Sequence, residues 1–527
     1  MTSWRRFLQG WGFLSANNAR GNFAVGENVT QIYLQGNENL LGVTATEPSL
    51  PFAPLHDAFE GAEPDIASLL RWRYRLVETL YGREQEIDDI KAWANSDRED
   101  ILVRLVEGEG GSGKTRLGAE VAESLRNEGW SAGFLARSGS LIHPAGRKGL
   151  FLIVDYPEEQ PERIKALIDS IRSCPQPGYR LRFLLLSRRS YEEWGDTFGP
   201  VRDLVGRQAI AHLGPLPAEQ AKRLIVEASG RLAKQLDCSA GELRGLDEWL
   251  AASRDNRLSL YATAAAVHHV LAPTDTFGLA APEIVADLVT RELSRVTGAS
   301  RAAMLGEHAL PRLLALATIT GKLIPAVIER LAKPEQQIFE CPENLAIDRL
   351  RNLPWWDRED KSLPALTPDV LAAVLTSRIL SERPEMAPQW LWAVMEDGIG
   401  SDFAARVGRV IYDIDRMERE PSEIPMWLEQ IVKDHPARAA RFFEITYDQW
   451  LPHRLAGLSG TAGVAIADAI EDDEIKTFIL NNTSVHLSSA GRYTEALQAI
   501  RRTVEIRERL AAANPAPLRA PSGDEPH

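Results

Sequence analysis

At 527 residues the chain exceeds what one hydrophobic core usually holds, and length alone predicts about three to four domains. Its 44% hydrophobic and 25% charged content is that of a soluble globular protein, while a net charge of −14 argues against general affinity for nucleic acid or membrane surfaces. Three widely spaced cysteines, Cys174, Cys238 and Cys341, fit a reducing cytosol and suggest neither a disulfide framework nor a zinc site.

Residues 1–65 read as a β-containing adaptor segment and linker. Trp4, Phe7, Leu8 and Trp11 recur at helical spacing. Val29–Leu34 is a strand between the turn residues Gly26-Glu27-Asn28 and Gly36-Asn37. Its ordinary role is to pack on a neighbour; its sharper role is a surface that docks an effector. Arg5-Arg6 lacks the apolar stretch that an export signal needs, because Ala16-Asn17-Asn18-Ala19-Arg20 follows, so a cytoplasmic location is expected. Pro48–Pro64 reads as a linker.

A helix is predicted over 69–80, then Tyr81-Gly82-Arg83-Glu84, then a helix with Ile87, Ile90 and Ala94 on one face. An alternating pattern follows: strand 101–106, helix 114–128, strands 131–136 and 150–154, helix 159–173, strands 182–187 and 208–213. Apolar strands interleaved with helices predict a parallel sheet covered on both faces. From about residue 216 the chain is helical in pattern. Leu310–Ile328 is its most apolar long stretch, but Arg312, Gly321, Lys322 and Pro325 interrupt it, so it is not a membrane span. In Leu480–Leu510, Leu487, Gly491, Tyr493, Ala496 and Ile500 stand where a tetratricopeptide hairpin puts its packing residues. Residues 516–527 form a Pro- and charge-rich tail expected to be disordered.

The chemistry centres on Gly108-Glu109-Gly110-Gly111-Ser112-Gly113-Lys114-Thr115, between an apolar strand and an amphipathic helix. In that context the motif is a phosphate-cradling P-loop. Its glycines let backbone N–H groups curl around phosphates, Lys114 reaches the β- and γ-phosphates, and the Thr115 hydroxyl ligates Mg²⁺. Asp155, ending the run Leu150–Val154, supplies the second Mg²⁺ ligand; the bland alternative is a turn residue. The position after it, where many P-loop ATPases carry a carboxylate, is Tyr156. Glu158 is then the candidate to orient water, against a helix-cap role, and slow hydrolysis is expected. Arg188, at the tip of the strand expected beside the P-loop strand, is placed to sense a γ-phosphate, or is a solvated charge. Arg83 either covers the nucleotide or forms a structural ion pair. His268-His269, in an apolar helix with no acidic or cysteine partner in sequence, read as packing residues.

Together these segments resemble the STAND class of signal-transduction ATPases, in its prokaryotic branch with tetratricopeptide repeats. The likeness runs in order over residues 66–515. It is carried by Leu80–Ile87, the P-loop, Leu152-Ile153-Val154-Asp155-Tyr156-Pro157-Glu158, the strand Phe183–Arg188 followed by Glu192-Glu193-Trp194, Leu213-Gly214-Pro215-Leu216, Ser362–Asp369, and Asn481 through Pro515. The resemblance implies an α/β P-loop NTPase core at 66–215, a helical lid at 216–280, a winged-helix-like domain at 281–380 and a helical, tetratricopeptide-like region at 381–515. It further implies an ATP/ADP switch with Mg²⁺, a protein trigger read by the C-terminal helices, an effector recruited by the N-terminal segment, and nucleotide-dependent homo-oligomers in signalling or antiviral defence. Three departures stand out. Asp255-Asn256-Arg257-Leu258 replaces the family's Gly-x-Pro, no effector sequence is recognisable before residue 60, and only one clear repeat is present. A nucleotide-binding scaffold and a STAND-type transcription regulator remain the alternatives.

Overall fold

The computed structural model describes residues 52–59, 64–97, 101–135, 148–157, 164, 180–194, 205, 210–272, 275–395, 402–418, 420–434, 436–447 and 451–513. The expected strand at 29–34, the N-terminal amphipathic stretch, Glu158, the helix expected at 159–173 apart from Ile164, and the tail lie outside these residues. The described residues form two bodies, one drawn from 52–390 and 409–422, the other from 391–408 and 423–513.

The first body begins with a 3₁₀ turn at Leu55–Phe59, inside the expected linker, whose Ala58 is buried in the core. Helix α1 spans Ile66–Leu70 and is capped by Asp65, which accepts from Ser68 N at 2.9 Å. The helix expected over 69–80 does not form. Arg71 is extended, Trp72–Tyr74 is a 3₁₀ turn, and Arg75 is left-handed at φ 46°. Tertiary contacts outweigh helix propensity, a term below about 1 kcal/mol per residue. Arg71 Nε donates to Thr367 O at 3.1 Å, Trp72 stacks on Phe134 with centroids 5.6 Å apart, and Arg75 pairs with Glu120 at 3.1 Å.

Helix α2 (Glu84–Ala94) buries Ile90 and Ala94 as its pattern predicts. Then come β1 (Ile101–Glu107), α3 (Lys114–Asn127), β2 (Ser131–Phe134), β3 (Leu150–Asp155), β4 (Leu181–Ser187) and β5 (Ile210–His212). All five strands are parallel, in the order β2-β3-β4-β1-β5. The register pairs Ile101 with Leu181 and Glu107 with Ser187, so β4 lies between the P-loop strand and the strand ending in Asp155.

Alternation divides the sheet cleanly. Val103, Leu105, Leu152, Val154, Phe183 and Leu185 face one layer with Ile164, while Val106, Phe151, Ile153, Leu184 and Leu186 face α2 and α3. All seven β4 residues are buried, as expected for a strand covered on both faces. Its one charge, Arg182, donates to Ala94 O at 3.1 Å and Ser96 O at 3.2 Å, where α2 ends and its carbonyls need donors.

Beyond the sheet the body is helical: α4 (Ala218–Gln235), α5 (Leu246–Ala252), α6 (Ser259–Leu271), α7 (Ala281–Ala302) and α8 (Ala309–Thr320). Every residue of α8 is buried, and it stops at Gly321, φ 88°, within the apolar stretch that the sequence marks as interrupted. A helix–strand–helix–helix–strand unit continues through β6 (Lys322–Leu323), α9 (Pro325–Leu331), α10 (Glu343–Leu350) and β7 (Leu363–Pro364), with β6 and β7 antiparallel. Helix α11 (Asp369–Ser381) joins α1, α4, α5, α6 and α7 in one core. Helices α12 (Ala387–Met395) and α13 (Asp402–Met417) follow, and α13 contributes Arg409–Met417 to this body. The described residues thus form an α/β P-loop NTPase core followed by a large, mainly helical region with one small two-stranded antiparallel sheet.

The second body contains α14 (Ile424–Asp434), α15 (Pro436–Glu444), α16 (His453–Ala469), α17 (Asp473–Ser489) and α18 (Tyr493–Ala513). Glycine lets α16 and α17 approach closely: a Cβ on Gly463 would stand 2.0 Å from Thr483 Oγ1. In the α17–α18 hairpin Leu487 and Ala496 are buried and Gly491 takes the left-handed turn, whereas Tyr493 and Ile500 are exposed. Among the described residues no helix is long and apolar enough to cross a membrane.

Candidate nucleotide site

The P-loop leaves β1 and its glycines are sterically required. A Cβ on Gly108 would lie 2.6 Å from Leu213 O, and Gly111 and Gly113 hold φ of 84° and 95°. α3 starts at Lys114, so its free N–H groups and positive dipole end face the loop. The loop forms one wall of a cavity of about 420 Å³ that also takes in Lys114, Thr115, Asp155, Arg188 and Asp369.

Three strand ends deliver the predicted polar groups to this cavity. Thr115 Oγ1 donates to Asp155 Oδ2 at 3.0 Å, the hydroxyl–carboxylate pair expected of a Mg²⁺ site. Burial pushes the Asp155 carboxyl up to about 6, against the opposing pull of Thr115 and Lys114. Lys114 is buried and folds over the loop, donating to Gly108 O at 2.7 Å and Glu109 O at 2.9 Å. Arg188, one residue beyond β4, lies against the loop: a Cβ on Gly110 would be 3.2 Å from its Cζ. The glycine cradle, the buried lysine and the paired Thr115 and Asp155 fit a phosphate chain with a divalent cation.

Arg83 sits elsewhere. It is buried, donates to Ser112 O and Gly214 O, and does not line the cavity, so it braces the P-loop from behind. Asp255–Arg257 forms a 3₁₀ turn leading into α6, and from there Leu260 N donates to Gly111 O at 3.0 Å. The apolar lining of the cavity includes Leu70, Trp72, Leu76, Val77, Leu224 and Leu260, a setting for a flat base. His268 and His269 are buried away from the cavity. The first bridges Thr276 Oγ1 (2.9 Å) and Asp287 Oδ2 (3.1 Å); the second packs on Phe277.

Sequence reasoning missed the groups that surround Arg188. Asp369, the first residue of α11, accepts at Oδ2 from Arg188 Nη2 (2.9 Å), Arg409 Nη1 (3.0 Å) and Tyr156 OH (2.7 Å). Burial works against its charge, yet Arg409 and Arg188 hold the Asp369 carboxyl well below the usual range. Asp413 accepts from Arg188 Nη1 at both oxygens, 2.9 and 3.0 Å. Arg416 bonds Glu109 of the P-loop (2.9 Å) and Asp255 (2.7 Å). Tyr156 itself is left-handed at φ 53°, with the Arg409 guanidinium 4.0 Å from its ring centroid. The one available signal was the spacing Arg409–Asp413–Arg416, which puts three charges on one helix face.

No protein-family model matches the chain, and no curated protein does. Among solved structures it is similar to the ORC2 protein of Aeropyrum pernix in ADPNP–ADP complexes, at 14% identity and TM-score 0.29, over 57% of this chain and 95% of that one. It is also similar to CDC6P from Pyrobaculum aerophilum, at 15% identity and TM-score 0.29, over 60% and 98% of the two chains.

Proposed function

We propose that the chain is an ATP-binding switch of the STAND type with slow ATPase activity. One observation carries it: Lys114 and Thr115, Asp155 and Arg188 come from the ends of β1, β3 and β4 to one cavity with a glycine cradle and apolar side chains in its lining. Lys114 would leave the loop carbonyls for the β- and γ-phosphates, and backbone N–H groups of Gly110–Thr115 would hold the remaining oxygens. Mg²⁺ held by Thr115 and Asp155 supplies charge neutralisation on the phosphates. Glu158 orients the attacking water. Turnover is slow because the residue after Asp155 is a tyrosine whose hydroxyl is committed to Asp369.

On the resemblance to STAND ATPases, ADP holds the helical region (216–280) and the winged-helix-like region (281–380) on the core. A protein trigger acting at the tetratricopeptide-like region (381–515) favours ATP, oligomerisation and recruitment of an effector through residues 1–65. Tyr156 favours a second reading, a binding-only scaffold; Glu158→Gln separates the two, since unchanged turnover supports the scaffold. The first test of the main reading is the nucleotide retained by purified protein, released by denaturation and identified by chromatography, with binding of ADP and ATP by calorimetry. Retained or bound nucleotide in wild type and none in Lys114→Ala is expected. A wild type that binds neither nucleotide in the presence of Mg²⁺ overturns the reading.

A further inference from the structure

We infer that Asp413 is a specificity-determining residue for the nucleotide: by occupying Arg188 it makes the pocket prefer a nucleoside diphosphate over a triphosphate. The inference rests on the nucleotide-binding reading above and adds the residue that sets which nucleotide is held. Arg188 is a cation of the cavity lining that a γ-phosphate would meet, and both of its terminal nitrogens are engaged across the site. Nη1 is bonded to both oxygens of Asp413 and Nη2 to Asp369. The Asp413 side chain is 2% exposed, so water cannot replace Arg188 as its partner while α13 stays in place. A triphosphate therefore gains the Arg188 contact only at the cost of stranding a buried carboxylate, whereas a diphosphate, which ends short of Arg188, leaves the pair intact.

The neighbouring residues of α13 act in the same sense. Arg409, one turn before Asp413, bonds Asp369 on the cavity wall, and Arg416, one turn after, bonds Glu109 in the P-loop itself. Three consecutive contacts from one helix face thus reach the cavity wall and the P-loop, and Asp369 adds a negative charge to that wall. Asp413 acts through Arg188 and touches no nucleotide; it is a positioning residue.

The test compares equilibrium affinities for ADP and for a non-hydrolysable ATP analogue, with Mg²⁺, in wild type, Asp413→Asn and Lys114→Ala. The ratio of analogue to ADP dissociation constants is expected to fall at least tenfold in Asp413→Asn, with ADP affinity within about threefold of wild type, because a neutral amide no longer competes for Arg188. A merely structural role would weaken both nucleotides alike. An unchanged ratio with both affinities retained overturns the inference and leaves nucleotide binding standing; loss of all binding in wild type overturns the underlying reading instead. Wild-type hydrogen exchange over residues 409–417 gives a second measurement that needs no variant. Protection with ADP and faster exchange with the analogue is expected, and equal protection in both overturns the inference.

Discussion

Replacing Arg188 with Met should destabilise the NTPase body by about 3–5 kcal/mol at neutral pH, the usual cost of removing one partner of a buried ion pair. Arg188 makes three charge-assisted hydrogen bonds of 2.9–3.0 Å, two to Asp413 and one to Asp369. Asp369 keeps Arg409 and Tyr156, so its loss is partial. Asp413 keeps no comparable partner, and a unit charge about 4 Å from its counter-ion gives up roughly 4 kcal/mol at an effective dielectric of 20. Burial already raises the Asp413 carboxyl against the lowering pull of Arg188. Without that arginine its folded-state pKa moves further above the unfolded value, and the stranded carboxyl relieves the cost by binding a proton. The penalty must then shrink as pH falls towards the ordinary carboxylate range, by at most about 1.4 kcal/mol per pH unit. Urea titrations read by hydrogen exchange in β1 and β4 report this body specifically. The double variant Arg188→Met, Asp413→Leu should recover most of the loss. A single variant within about 1 kcal/mol of wild type, or a penalty that does not change between pH 5 and 8, would refute the reasoning.

Other consequences are equally direct. Gly111→Ala puts a Cβ 3.1 Å from Leu260 Cβ on a backbone at φ 84°, and should weaken nucleotide binding at least tenfold by calorimetry while leaving the sheet folded. His268 is buried and its pKa is lowered, by burial first, against the raising effect of Asp287. Its stabilising neutral form is fully present above the unfolded value near 6.5 and is lost as pH falls below it, so Tm should drop from pH 7 to pH 5 and His268→Gln should flatten that slope. Gly463→Ala places a methyl on Thr483 and 2.7 Å from the Phe443 ring, and should cost the α16–α17 pair about 1–3 kcal/mol, read as a lower denaturation midpoint of the C-terminal body.

What the chain revealed before folding follows the range of the forces involved. The P-loop, Asp155 and the Arg188 strand were legible because each is a short run: an apolar strand, a polar tip, glycines where the backbone must turn. The parallel sheet was legible for the same reason, since Leu150–Val154 and Leu181–Leu186 are too continuously apolar to face water. The α-helix expected over 69–80 failed because its side chains are claimed by Thr367, Phe134 and Glu120, partners that no local window contains. Arg188 was read as a sensor without its counter-ions, which arrive from residues 369 and 413. Such pairing depends on how the helices after the sheet return to it, and nothing near Arg188 in the chain encodes that return.

The placement of β1 has a consequence for the birth of the protein. Its ladder partner β4 is eighty residues downstream, and β5, on its other edge, comes later still. At ordinary rates of synthesis of about 5–20 residues per second, β1 waits roughly 4–16 s for β4 to be made. During that interval the strand that leads into the P-loop is an apolar segment with both edges open, the kind of surface on which nascent chains associate wrongly. A sheet whose central strand is made last but one is therefore most vulnerable during its own translation, and slow elongation between residues 107 and 181 would lengthen the exposure.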